Sequence, residues 1–150
     1  MKTAILIADD SDEDLFLLKR AFSRIGVQNP IYSVKNGREA IQYLKGEGVY
    51  SNREQYPFPG ILLLDLHMPK ADGFEVLRFV RNKLDQEGLL VVVLSRLDEL
   101  KNIKTAYALG ANSFLAKPGD AEELQSLIRT FSDYWLISNR NLDPTPRKLL

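Results

Sequence analysis

Four apolar residues in a row, Ile61-Leu62-Leu63-Leu64, run straight into Asp65, and nothing in the chain constrains its fold more. Side chains alternate between the two faces of a strand, so a strand that is apolar throughout has both faces covered. That is the setting of a parallel sheet between layers of helix. Two other segments have the same form: Ala4 to Ala8 runs into Asp9-Asp10, and Leu89 to Leu94 is closed by Ser95. Shorter apolar stretches at Ile31 to Val34 and at Asn112 to Ala116, the latter ended by Lys117-Pro118, bring the strands to five.

Between the strands the apolar period becomes helical. Ser11 stands before Asp12-Glu13-Asp14 as a cap before an acidic first turn, and Leu15, Leu18, Ala21, Phe22 and Ile25 follow until Gly26 stops the helix. Asn36-Gly37 leads into a second helix through Ala40, Ile41 and Leu44, ended by Gly46. Asp72-Gly73 opens a third with Phe74, Val76, Leu77, Val80 and Leu84. Asp98 is expected to cap a fourth that carries Leu100, Ile103, Ala106, Tyr107 and Leu109. Asp120 with Glu123 has the pattern of a capping box for a fifth, striped with Leu124, Leu127, Ile128, Phe131 and Trp135. Glu47 to Pro59 is polar, holds two prolines and has no period, so an exposed loop is expected there. Five strands alternating with five helices predict an α/β fold with right-handed crossovers: a five-stranded parallel sheet with helices on both faces.

A chain of 150 residues with 45% hydrophobic content supports one core, expected over residues 1–137, with 138–150 as a disordered tail. Lys+Arg and Asp+Glu both number 20, so no net positive field is available to hold nucleic acid. With no cysteine the chain can form neither disulfides nor thiolate metal sites. The apolar start at Ala4 to Ala8 is too short to cross a bilayer and is cut off by acids. A cytoplasmic location is expected, with neither nucleic acid nor membrane as a partner.

In an open α/β sheet, ligands bind beyond the carboxyl ends of the strands. If the first, third and fifth strands are neighbours, Asp9, Asp10, Asp65 and Lys117 converge there. Carboxylates brought close repel one another unless they are protonated or share a cation, and an all-oxygen ligand set suits Mg²⁺. A carboxylate beside a divalent cation and a lysine can attack phosphorus, and the Ser95 hydroxyl stands at the neighbouring strand end. Taken one at a time these residues have ordinary readings. Asp9 and Asp10 would cap a helix, Asp65 and Ser95 would close turns, and His67, the single histidine, would be a loop side chain. Their order along the chain is what carries the chemistry.

That ordered set resembles the receiver domain of bacterial two-component response regulators, over residues 3 to 136. The matching residues are Asp9-Asp10, Asp65 within Asp65-Leu66-His67-Met68-Pro69-Lys70-Ala71-Asp72-Gly73, Ser95, and Phe114-Leu115-Ala116-Lys117-Pro118. The resemblance implies a flavodoxin-like architecture with Asp65 as phosphoacceptor. It implies Mg²⁺ held directly by Asp10, Asp65 and the backbone carbonyl of His67, with Asp9 acting through a metal-bound water. Lys117 would pair with the phosphoryl group, Ser95 would move to hydrogen-bond it, and Phe114 would repack as Ser95 moves. Phe114 stands where tyrosine is common, so a hydroxyl is missing from that switch. His67 and Leu97 occupy the two positions that tune phosphoryl lifetime in the family, and apolar Leu97 offers no help in orienting water.

The implied function is a stand-alone receiver that takes its phosphoryl group from a sensor histidine kinase or a histidine phosphotransfer protein, catalysing only its own phosphorylation and dephosphorylation. The 47–59 segment and the extended last helix are similar to those of receivers that partner bacterial phytochromes. Tyr134-Trp135-Leu136-Ile137 keeps the last helix apolar beyond the sheet, which predicts a homodimer through the fourth helix, fifth strand and last helix. Two other functions share some of these features. One is a receiver-like scaffold that works without phosphorylation. The other is an aspartyl-phosphate phosphohydrolase, which would be expected to carry an acid where this chain has His67. Flavodoxin-type cofactor binding lacks its phosphate-cradling loop after the first strand.

Overall fold

The computed structural model describes residues 2–84 and 88–138 of the 150. Among these, five strands form one parallel sheet: β1 (Ile5–Ala8), β2 (Ile31–Val34), β3 (Ile61–Leu64), β4 (Leu90–Ser95) and β5 (Ser113–Ala116), in the order β2-β1-β3-β4-β5. The connecting helices are α1 (Asp12–Arg24), α2 (Gly37–Lys45), α3 (Gly73–Phe79), α4 (Leu100–Ala108) and α5 (Ala121–Phe131). Both α3 and α5 run on as π-helix, over Val80–Leu84 and Ser132–Ser138 respectively. No described helix is long and apolar enough to cross a membrane. The expected tail, 138–150, lies outside the described residues except for Ser138.

Strand alternation explains the two layers of core. Leu6, Ala8, Leu62, Leu64, Val91 and Val93 face one way and pack with Ala40 and Leu44 of α2, Val76 and Leu77 of α3 and Ala106 of α4. Their neighbours Ile5, Ile7, Ile61, Leu63, Val92 and Leu94 face the other way, onto Leu15, Leu18 and Phe22 of α1 and Leu124, Ile128 and Phe131 of α5. The uninterrupted apolar strands are therefore buried on both sides.

Four helices begin as their sequences suggest. Ser11, Asn36, Asp72 and Asp120 each accept a hydrogen bond from a backbone N–H in the first turn of the helix that follows. α4 is the exception: Glu99, not Asp98, is its capping position, and no side chain caps it. β5 starts one residue later than expected because Asn112 serves as its anchor. The Asn112 N–H donates to the Val91 carbonyl, and its side-chain oxygen accepts the Val91 N–H.

The segment from Glu47 to Pro59 is largely exposed, as its composition suggests, but it is pinned to α2 through half-buried Tyr50, Arg53 and Tyr56. Arg53 donates to the Leu44 carbonyl, left open at the end of α2, to the Tyr43 carbonyl, which also accepts the Gly46 N–H, and to the Tyr56 carbonyl. Tyr43, Tyr50 and Tyr56 form an aromatic cluster with ring centroids 5.0–5.9 Å apart, and the Tyr43 hydroxyl donates to the Pro57 carbonyl.

Candidate functional site

The site is assembled where the strands end. β1 and β3 are neighbours, with Ala8 opposite Leu64, so Asp9 and Asp65 leave the sheet side by side and the Asp65 N–H still donates to the Ala8 carbonyl. β5 is not next to them, so the condition that the first, third and fifth strands be neighbours is not met: β4 lies between β3 and β5. Lys117 is registered against β4 by a hydrogen bond from its N–H to the Ser95 carbonyl, and its long side chain spans the gap. Its Nζ donates to Asp9 Oδ2 at 2.6 Å and to Asp65 Oδ2 at 3.1 Å. The side chains of Lys117 and Asp9 are each only 2% exposed.

The other oxygens of these carboxylates are held by backbone. Asp9 Oδ1 accepts the Ser11 N–H and Asp65 Oδ1 accepts the His67 N–H. Asp10 is exposed, yet its carboxylate joins those of Asp9 and Asp65 in a group whose ligand oxygens lie within 4.8 Å of one another. Ser95 is fully buried and its Oγ accepts the Leu97 N–H. Phe114 lies on the α2-α3-α4 side of the sheet, partly buried against that core, and its N–H donates to the Tyr107 hydroxyl. An open cleft of about 350 Å³ is lined by Asp10, Asp65, His67, Ser95, Arg96 and Leu97 among others.

The loop after Asp65 is fixed closely. Gly73 packs so near this turn that a Cβ there would stand 2.5 Å from the Asp65 carbonyl oxygen, so any larger residue would push the loop off the site. Lys70 and Ala71 take left-handed backbone angles (φ 51° and 81°), which L-residues adopt at some strain. The start of α2 holds them there, the N–H groups of Gly37 and Arg38 donating to the carbonyls of Pro69 and Lys70.

Two residues enter the site that the strand-end pattern does not reveal. Asp14, in the first turn of α1, accepts from Lys117 Nζ at 3.1 Å and from both terminal nitrogens of Arg96, at 2.8 and 3.3 Å. A signal for Asp14 does exist in the sequence: it falls on the same helical stripe as Leu15, Leu18, Ala21 and Phe22, and an acid on a buried stripe needs a partner. Arg96 carries no such signal, since a charged residue just beyond a strand is ordinary.

Electrostatically the site is short of positive charge. Burial works against the Lys117 ammonium, but the carboxylates of Asp9, Asp65 and Asp14 outweigh it and lift its pKa above the ordinary lysine value. At Asp9 burial is the larger effect: it holds the pKa above the usual aspartate value despite the hydrogen bonds from Lys117 and Ser11. The Arg96 hydrogen bonds lower that of Asp14 against burial. A buried carboxylate that stays under-compensated beside a lysine, grouped with a second and an exposed third, is a donor set that fits a hard divalent cation.

Residues 5–129 match the model of the response regulator receiver domain. The chain is 34% identical over 141 residues to a probable methanogenesis regulatory protein, FilR2, of Methanothrix harundinacea, covering 93% of this chain and 88% of that one. The structure of a phosphorylated cyanobacterial phytochrome response regulator, RcpA, superposes with a TM-score of 0.86 at 28% identity, covering 95% of this chain and all of that one. The Mn²⁺-bound form of the response regulator Rcp1, a protein of Synechocystis, gives a TM-score of 0.83 at 27% identity, over 94% of this chain and 99% of the other.

Proposed function

The chain belongs to the response regulator receiver domain family of two-component signalling, and from that premise we propose that Asp65 is its phosphoacceptor, charged by a histidine kinase or a histidine phosphotransfer protein. The observation that supports this most directly is the fixation of the Asp65 carboxylate, one oxygen on Lys117 Nζ and the other on the His67 N–H, at the edge of an open cleft. An Asp65 oxygen attacks the phosphorus of phosphohistidine, the P–N bond breaks, and the electron pair leaves with the imidazole, which regains a proton from solvent. Lys117 is the fixed cation beside the oxygens that gain charge, and Ser95 offers a hydroxyl after turning from the Leu97 amide.

Asp9, Asp10 and Asp65, with the His67 carbonyl, would hold Mg²⁺. When bound, the ion supplies positive charge that offsets the phosphoryl oxygens. The protein turns over nothing but its own phosphoryl group, in the cytoplasm, where such kinases meet ATP. The added charge of about −1.5 to −2 is then read out through Ser95, Phe114 and the surface of α4 and β5. A second copy docking across α4, β5 and α5 is part of the same reading. Position 67 presents its backbone to Asp65 and carries no second acid, so an ester hydrolase gains no support.

The test is intact mass after incubation with Mg²⁺ and a small acyl phosphate. One phosphoryl adduct, lost on chelation of the metal and in Asp65→Asn, is expected. An unlabelled protein under those conditions would favour a scaffold, and steady release of phosphate from a generic ester would favour a hydrolase.

A further inference from the structure

Lys117 has three N–H donors, and all three are engaged, on Asp9, Asp65 and Asp14. A phosphoryl group on Asp65 needs one of them. Asp9 has no other cationic partner among the described residues, whereas Asp14 has Arg96, whose two terminal nitrogens already reach its two oxygens. Asp14 Oδ2 is shared between the guanidinium at 2.8 Å and the ammonium at 3.1 Å.

We propose that Arg96 is a positioning residue for phosphotransfer: it keeps Asp14 satisfied so that Lys117 can turn one N–H from Asp14 to the incoming phosphoryl group. This rests on Asp65 being the phosphoacceptor. The charges support it. Among the described residues the ion pairs of Asp9, Asp14 and Asp65 are with Lys117 and Arg96 alone, so Asp14 is a carboxylate beyond the cation-binding group of three and needs a cation of its own. Arginine suits that task, because its planar fork meets both carboxylate oxygens at once and stays charged at any working pH. Arg96 also directly follows Ser95 in the chain, so the pair ties α1 to the loop that must move when Ser95 turns.

Without Arg96, Asp14 has Lys117 as its sole cation and holds it harder. The ammonium then reaches the phosphoryl group only by leaving a nearly buried carboxylate bare. Removing Asp14 as well lifts that restraint. The effect of Arg96 therefore passes through Asp14, and the two substitutions are strongly non-additive.

The experiment measures the initial rate of Asp65 labelling by a small acyl phosphate with saturating Mg²⁺ in the full chain and in Arg96→Gln, Arg96→Lys, Asp14→Asn and Asp14→Asn with Arg96→Gln. Arg96→Gln should slow labelling by about tenfold, the scale of coupling between residues in one ion-pair network. Arg96→Lys should keep most of the rate, and Asp14→Asn, which frees one Lys117 N–H, should label faster than Arg96→Gln. The double variant should return to the Asp14→Asn rate, which a merely structural role for Arg96 would not produce. An unchanged rate in Arg96→Gln overturns the assignment, as does a double variant no faster than Arg96→Gln. Failure of the unsubstituted chain to label overturns the functional reading itself, which separates the two.

Discussion

At the scale of single residues, the site is a set of buried charges held by one ammonium. Lys117 with Asp9 is a nearly unexposed pair, and a buried charge left alone is far more costly than the pair is valuable. Lys117→Ala should therefore destabilise the fold by about 3–5 kcal/mol in metal-free buffer. Mg²⁺ should restore part of that loss by supplying the missing positive charge, so urea unfolding with and without the ion is the check. An alanine variant as stable as the parent without metal would mean that the carboxylates are not ionised together. Asp65, Asp10, Ser95 and Lys117 were legible in the sequence because each follows an apolar strand, and strand ends are where such sheets do chemistry. Arg96 was not, and Asp14 showed only as an acid on a buried stripe, because their pairing joins a helix start to a loop 82 residues away.

Among the elements, α2 and the 47–59 segment show what composition leaves out. Polar residues and prolines suggested solvent, but the tyrosines between them have no period and are collected only in three dimensions, around Tyr43. Arg53 closes this unit by satisfying three carbonyls at once. Burial of Tyr43 pushes its hydroxyl well above the ordinary tyrosine range. Arg53→Ala leaves the Leu44 carbonyl without a partner and strips the Tyr43 carbonyl of its second donor, and should cost about 1.5–3 kcal/mol, on the scale of hydrogen bonds to a charged group. The loss should appear in chemical denaturation and as faster amide exchange at the end of α2. A change within about 0.5 kcal/mol would place the segment among ordinary surface loops. The opposite case is instructive too: α1, α2, α3 and α5 start at the polar residues the sequence nominated, because a cap acts within three residues and needs no tertiary partner.

For the whole molecule, the parallel sheet and its two helical layers followed from apolar runs and their alternation with helical stripes, whereas strand order did not, since nothing local says which strand lies between two others. The exposed apolar side chains Leu97, Leu100, Tyr107, Tyr134 and Ile137 come from the β4-α4 loop, α4 and the end of the last helix, the elements proposed to meet a second copy. Sedimentation should show self-association that weakens in Ile137→Asp, at a side chain 69% exposed and so free of core packing. A chain that stays monomeric at every concentration, with and without a phosphoryl analogue, would remove that part of the account. The central claim is the identity of the phosphoacceptor, and the most direct measurement reduces the labelled protein with borohydride and maps the converted residue by peptide mass. Conversion of Asp65 to the corresponding alcohol, and of no other carboxylate, is the predicted result; conversion at Asp9, Asp10 or Asp14 with Asp65 intact would contradict it.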